Sequence, residues 1–203
     1  MSRKLADTVT RRRIAAIAGH RGDAATARAY LDDPDPAVRA TAIGALVRSG
    51  AATGEDLQAA LADESPVVRA RAAELAATRP GTDAPALRPL LADPDAAVVE
   101  SAAWASGERQ PPEPAIVPEL ARLARDHDDP LCREAAVAAL GAIGDPAGLP
   151  AILAATRDKP AIRRRAVLAL APFDGPEVEE ALARALTDRD WQVRQAAEDV
   201  GRL

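Results

Sequence analysis

At 203 residues the chain can form one compact domain or one elongated array. Apolar residues make up 48% of it and aromatics only 2%, so its core must be built from Ala, Val, Leu and Ile, whose small side chains let helices stack closely. The formal charge of −5 comes from 26 basic and 31 acidic residues scattered together, a mixed-sign solvated surface that argues against a general nucleic-acid binder.

Along the chain, "MSRKLADTVTRRR" carries charge without the apolar stretch of a signal sequence behind it. No uninterrupted run approaches the roughly 18 apolar residues of a membrane span. A cytoplasmic protein is therefore expected. Residues 3–21, with "RRRIAAIAGHRG" as a weak core, read as a divergent N-terminal capping helix.

From residue 22 a unit recurs. "DPDPAVRATA" (33–42) is followed by "DESPVVRARA" (63–72), "DPDAAVVESA" (93–102), "HDDPLCREAA" (127–136), "RDKPAIRRRA" (157–166) and "DRDWQVRQAA" (188–197). The closing residue of each is alanine, at 42, 72, 102, 136, 166 and 197, with spacings of 30, 30, 34, 30 and 31. Asp35, Ser65, Asp95, Asp129, Lys159 and Asp190 stand where a helix would start, and five of the six can accept a hydrogen bond from the free N–H groups there. Pro36, Pro66, Pro130 and Pro160 follow four of them, and proline is favoured at the first helical residue.

Val38, Val68, Val98, Cys132, Ile162 and Val193, with each alanine four residues on, give a helical apolar face. Upstream of each turn a shorter amphipathic helix ends near Leu31, Leu61, Leu91, Leu123, Leu153 or Leu186. One such hairpin cannot bury its own apolar face, whereas stacked hairpins can.

The pattern D-P-x-x-x-V-R-x-x-A-x-x-A-L, carried well by residues 33–46 and 63–76 and loosely elsewhere, resembles the HEAT-repeat family, in particular its short bacterial phycobilisome-lyase-type repeats. The resemblance implies an all-α fold, a right-handed α-solenoid of about six helical hairpins whose second helices line a concave surface. The resemblance covers about residues 22–203, and the expected solenoid runs over 1–203 as one array, with a divergent first helix or cap at 1–21 and repeats near 22–50, 51–80, 81–110, 111–145, 146–175 and 176–203. The family also implies a ladder of turn aspartates and helix arginines between neighbouring repeats. Asp33 and Arg39, Asp63 and Arg69, and Asp188 and Arg194 carry both parts. In the middle Val99 replaces the arginine, and His127 and Arg157 stand at aspartate positions, with Asp128 and Asp158 one residue away. This irregularity coincides with the 34-residue spacing and with "GERQPPEPAIVP" (107–118), where a local change of curvature is expected.

Catalytic signatures are absent from the sequence. His20 and His127 are the only histidines, and neither begins the His-Glu pairs that serve as iron ligands in HEAT-repeat hydroxylases. One cysteine and two distant histidines cannot make a zinc set. Cys132 takes a position filled elsewhere by Val or Ile and reads as a buried small hydrophobe. His127 reads as a turn residue, and the glycines as helix C-caps at repeat ends. No cofactor or metal is expected, and the chain reads as non-enzymatic.

On the second helices, the positions one and five residues past the arginine face away from the core. They bring Trp104, Glu74, Glu100, Glu134, Arg164 and Leu168 forward as partner-binding residues, flanked by Arg71 and Arg165. Exposed aromatics often anchor interfaces, and acidic neighbours favour a basic peptide; in the other reading Trp104 packs against the Pro-rich segment and the charges are only solvated. The function expected is a protein–protein scaffold or adaptor. An accessory subunit like those of phycobilisome lyases is the alternative. A HEAT-like DNA-lesion binder is third, supported only by the Arg runs 11–13 and 163–165, so a protein or peptide is expected as partner, with no membrane and no nucleic acid.

Overall fold

The computed structural model describes residues 7–78, 86–113 and 115–202, and helices are the only regular elements among them. Packing groups the chain into two compact units, Met1–Pro85 and Ala86–Leu203. The first holds α1 (Thr8–Arg21), α2 (Ala24–Arg28), α3 (Pro36–Arg48), α4 (Gly54–Leu61) and α5 (Pro66–Ala77). The second opens with a 3₁₀ turn, Arg88–Ala92. It continues with α6 (Ala96–Glu108), α7 (Ile116–Asp126), α8 (Pro130–Ile143), α9 (Leu149–Ala155), α10 (Pro160–Ala169), α11 (Pro176–Ala185) and α12 (Trp191–Val200).

The six recurrent turns start α3, α5, α6, α8, α10 and α12. The side chains of Asp35, Asp95, Asp129 and Asp190 accept from the backbone N–H two residues on, at 2.8–2.9 Å. Ser65 and Lys159 hold the same cap position without a side-chain bond. The second helices thus begin where the turn chemistry places them. The first helices are shorter than the pattern suggests: α2 has five residues and ends before Leu31, and around Leu91 only the 3₁₀ turn forms.

In the first unit α1 packs along α3 and α3 along α5, with α2 and α4 behind them. In the second, α6, α8, α10 and α12 pack each on the next, and α7, α9 and α11 make the other layer. All six motif alanines are buried: Ala42, Ala72, Ala102, Ala136 and Ala166 are 0% exposed and Ala197 is 2%.

The seams between second helices also use glycine. A Cβ on Gly19 of α1 would stand 2.7 Å from the Cα of Ala45 in α3. A Cβ on Gly107 would stand 2.7 Å from the Cα of Ala139, and one on Gly141 2.7 Å from that of Ala169. The reading of glycines as C-caps holds for Gly22 and Gly144, both at positive φ, but not for these three. Inside the last turn of α1, α6 and α8 they permit a backbone approach that no side chain would allow.

α1 occupies the place expected of the capping helix, and it does more than cap. Asp7 starts it by accepting from Thr10 N at 2.7 Å, Arg11 lies four residues on as Arg39 does from Asp35, and Gly19 lies eight past Arg11 as Gly107 does past Val99 and Gly141 past Arg133. α1 therefore packs as the second helices of the repeats do.

The ladder runs forward along the chain. Nε and Nη2 of Arg11 donate to the carboxylate of Asp33 at 2.8 and 3.3 Å, and those of Arg39 to Asp63 at 2.8 and 2.7 Å. In the second unit Arg133 donates to Asp158 at 2.8 and 3.0 Å, and Arg163 to Asp188 at 2.9 and 2.7 Å. The third nitrogen turns back to a carbonyl of the arginine's own turn: Arg39 Nη1 to Asp33 O at 2.9 Å, Arg133 Nη1 to His127 O at 2.8 Å, and Arg163 Nη1 to Asp158 O at 3.0 Å. Each planar fork thereby ties one turn to the next.

The carboxylates respond. The fork from Arg133 holds Asp158 below the ordinary carboxylate range, and that from Arg163 does the same at Asp188. At Asp63 burial pushes upward, but the Arg39 fork and the Ser65 N–H outweigh it and the group is also lowered.

The aspartates also organise their own turns. Asp33, Asp63 and Asp188 accept the backbone N–H two residues on, from Asp35, Ser65 and Asp190, at 2.8–2.9 Å. His127 does the same through Nδ1, which accepts from Asp129 N at 3.0 Å. It is a turn residue, as its position suggests, but it has no carboxylate to offer a cation. The departures at Val99 and His127 are thus two halves of one missing rung, because Val99 would have to reach forward to turn 127–129. The gap leaves a recess of about 300 Å³ lined by Asp93, Val99, Arg122, Asp126, His127 and Asp128.

Installing that rung is a direct check. Val99→Arg alone is expected to destabilise, because Val99 is 1% exposed and His127, not a carboxylate, holds the rung position, leaving the guanidinium to the carboxylates at the side of the recess. Combined with His127→Asp, the pair should show a favourable coupling of about 1 kcal/mol in a double-mutant cycle read by urea unfolding. A coupling of zero would mean that the forward geometry is not transferable to this joint.

Candidate interaction face on the second helices

The outward rows of the second helices can be followed within each unit. In the second unit Trp104, on α6, is 45% exposed, and Glu100 lies one turn before it, half-buried. On α8, Glu134 is half-buried and meets Arg165 of α10 at 3.5 Å, an ion pair across neighbouring helices. Arg164 is exposed. Leu168 packs part of its surface against the cluster of Val167, Ala185, Val193, Ala196 and Ala197. Between α8 and α10 a groove of about 490 Å³ is floored by Ala138, Gly141, Ala142 and Ala169, with Leu168 and Arg165 at its side.

Glu74, the sixth expected residue, belongs to the first unit. There it pairs with Arg71 three residues earlier at 2.7 Å, both side chains remaining about two-fifths exposed. The other five lie on α6, α8 and α10 of the second unit.

Cys132 is fully buried, and its Sγ donates to the carbonyl of Ala96 in the preceding second helix at 3.3 Å. Burial first, then the nearby Asp129 and Glu100 carboxylates, pushes its pKa up to about 11. So shielded a thiol, almost wholly protonated, fills space rather than reacting. Among the described residues no three His, Cys, Asp or Glu side chains are grouped as metal ligands would be. No helix there is long and apolar enough to cross a membrane.

Sequence reasoning missed two features. One is the rung on α1, whose signal was present in the Asp7–Arg11 spacing. The other lies beside the Pro-rich segment 107–118, where Glu113 accepts from the backbone N–H groups of Leu87 and Arg88 at 2.8 and 3.3 Å. Arg109, 6% exposed, stands 3.6 Å from the same carboxylate. Glu113 therefore secures the 3₁₀ turn from one side of the joint whose ladder rung is missing.

The sequence model of the family described as HEAT repeats matches residues 3–76 and 84–169. No curated protein matches the chain. Among solved structures, the YibA protein of E. coli superposes with a TM-score of 0.67 at 20% identity, covering 97% of this chain and 75% of the other. Human deoxyhypusine hydroxylase, solved with glycerol, gives 0.50 at 20% identity, with coverage of 98% and 80%. A designed armadillo repeat protein in complex with the peptide (KR)4 gives 0.50 at 18%, with coverage of 96% and 90%. At these identities the likenesses show a common α-solenoid fold of stacked repeats.

Proposed function

This chain belongs to the HEAT-repeat family, and from that premise we propose that it is a non-enzymatic scaffold or adaptor binding a partner protein or peptide on the outward rows of its second helices. The observation that carries the reading is Trp104. A large aromatic nearly half exposed is costly in so aromatic-poor a chain, and it stands beside Glu100 on a helix otherwise surfaced with small and polar side chains. Acidic neighbours and an indole face suit a segment carrying Lys or Arg beside an apolar residue. A preformed helical surface would bind it with little ordering cost. The designed armadillo neighbour, solved with an alternating Lys-Arg peptide, offers a parallel for such a partner.

The DNA-lesion reading loses ground for a physical reason. Of its two arginine runs, Arg11 and Arg163 are spent on ladder rungs and Arg165 on Glu134. Beyond the repeat type, no observation favours the lyase-accessory reading.

Titrating a Lys/Arg-rich peptide library while following tryptophan emission tests the proposal. Trp104→Ala should keep the helical circular dichroism and the melting temperature while weakening the best peptide by about tenfold or more. Unfolding by this substitution would make Trp104 a packing residue. Undiminished binding would place the interface elsewhere.

A further inference from the structure

The first unit carries an outward trough of opposite character. α1, α3 and α5 enclose a groove of about 310 Å³, floored by Ala16, Ala37, Ala40 and Gly44 and rimmed by Arg12, Arg48 and Arg71, one arginine from each helix. Gly44 shapes it: a Cβ there would meet the guanidinium of Arg71 at 3.4 Å, so the missing side chain lets the arginine head lie over the floor. Glu74 holds Arg71 from the other side at 2.7 Å and is the carboxylate that faces the rim. Arg12 and Arg48 are exposed and are paired with no carboxylate among the described residues. Val67, 55% exposed, supplies an apolar contact at the α5 side, and the Thr41 hydroxyl is engaged by donating to Ala37 O at 2.7 Å.

We infer that this trough docks an extended acidic segment of a partner protein, with Asp or Glu side chains on Arg12, Arg48 and Arg71 and small apolar side chains on the alanine floor. Three arginines against the one carboxylate of Glu74 leave the rim with a net positive charge in a chain whose net charge is −5, so the local charge is opposite in sign to the whole and favours a short anionic segment. The small floor lets a backbone lie close. A nucleic acid fits less well: the groove is lined by no aromatic side chain on which bases could stack, and the acidic remainder of the chain opposes a long polyanion. This groove belongs to the first unit and Trp104 to the second, and the two are opposite in charge preference.

Fluorescence anisotropy on the full chain tests it, using a labelled short peptide alternating Glu with Ala and Leu. A Lys-for-Glu version, a Gln-for-Glu version and a DNA duplex complete the set. The Glu peptide should bind best and weaken as salt is raised. Arg12→Glu and Arg48→Glu alter exposed side chains and should each reduce affinity by about tenfold or more, because like charges meet. Trp104→Ala should leave this binding unchanged, which separates the outcome from that of the adaptor reading. The inference is overturned if the Gln peptide binds as well as the Glu peptide, if neither charge reversal weakens binding, or if duplex DNA binds more tightly through the same arginines.

Discussion

Ala72→Glu is expected to cost about 4 kcal/mol, enough to lower the melting temperature sharply. Ala72 is 0% exposed on α5, at the position that is alanine in every one of the six motifs. A carboxylate there has neither water nor a cation, and the helices would have to separate to hydrate it. Burial favours the neutral acid, so the deficit should shrink as the pH is lowered below neutrality. Urea unfolding at neutral and mildly acidic pH reads both effects. An unchanged midpoint would contradict the placement of this alanine between packed helices.

Gly141→Ala is the second large effect, and helix propensity alone gives it the wrong sign. In an open helix the change should stabilise by about 1 kcal/mol. Here the new Cβ would stand 2.6 Å from the Cβ of Ala169 and 2.7 Å from its Cα, distances that real side chains do not adopt. α10 would have to move off α8, and a net loss of about 2 kcal/mol is expected by thermal or urea unfolding. Adding Ala169→Gly should recover only part of it, since the backbone of α10 still stands in the way of the new methyl group. A stabilised single variant would mean that the seam is looser than the structure has it.

Much of the architecture was legible because turn chemistry is local. Asp35, Asp95, Asp129 and Asp190 cap helices that start at the next residue, and the alanine interval gave the stacking. The first helices were less legible. Around Leu91 the amphipathic pattern is present, but Pro89 and a short run leave only a 3₁₀ turn. Gly107 and Gly141 read as caps until a neighbouring helix about thirty residues away is known to touch them. The direction of the ladder was hidden for the same reason. Asp33 and Arg39 lie close in sequence and invite pairing, yet Arg39 reaches Asp63, and Asp33 receives Arg11.

The candidate site was partly legible. Helical angle placed Trp104 outward and found the Glu134–Arg165 neighbourhood, but it could not tell that Leu168 is half committed to packing. It also passed over Arg12, because a helix read as a cap contributes no position to the repeat rows, and Arg48, which ends α3 beyond the two rows counted. Charge in a repeat array acquires meaning only once each position is assigned its neighbour.

The forward ladder gives the stack an arrow. When the α11–α12 hairpin frays, Arg163 loses Asp188 and an 8% exposed guanidinium is stranded. Fraying of α1 instead strands Asp33, a carboxylate also 8% exposed, and takes the Thr8 hydroxyl from Asp35; each stranded group keeps one local bond, Asp33 from the N–H of Asp35 and Arg163 to the carbonyl of Asp158. Unzipping therefore leaves a cation at one end and a carboxylate at the other, and hydrogen exchange on the amides of α12 and α1 reads the cost of stranding each.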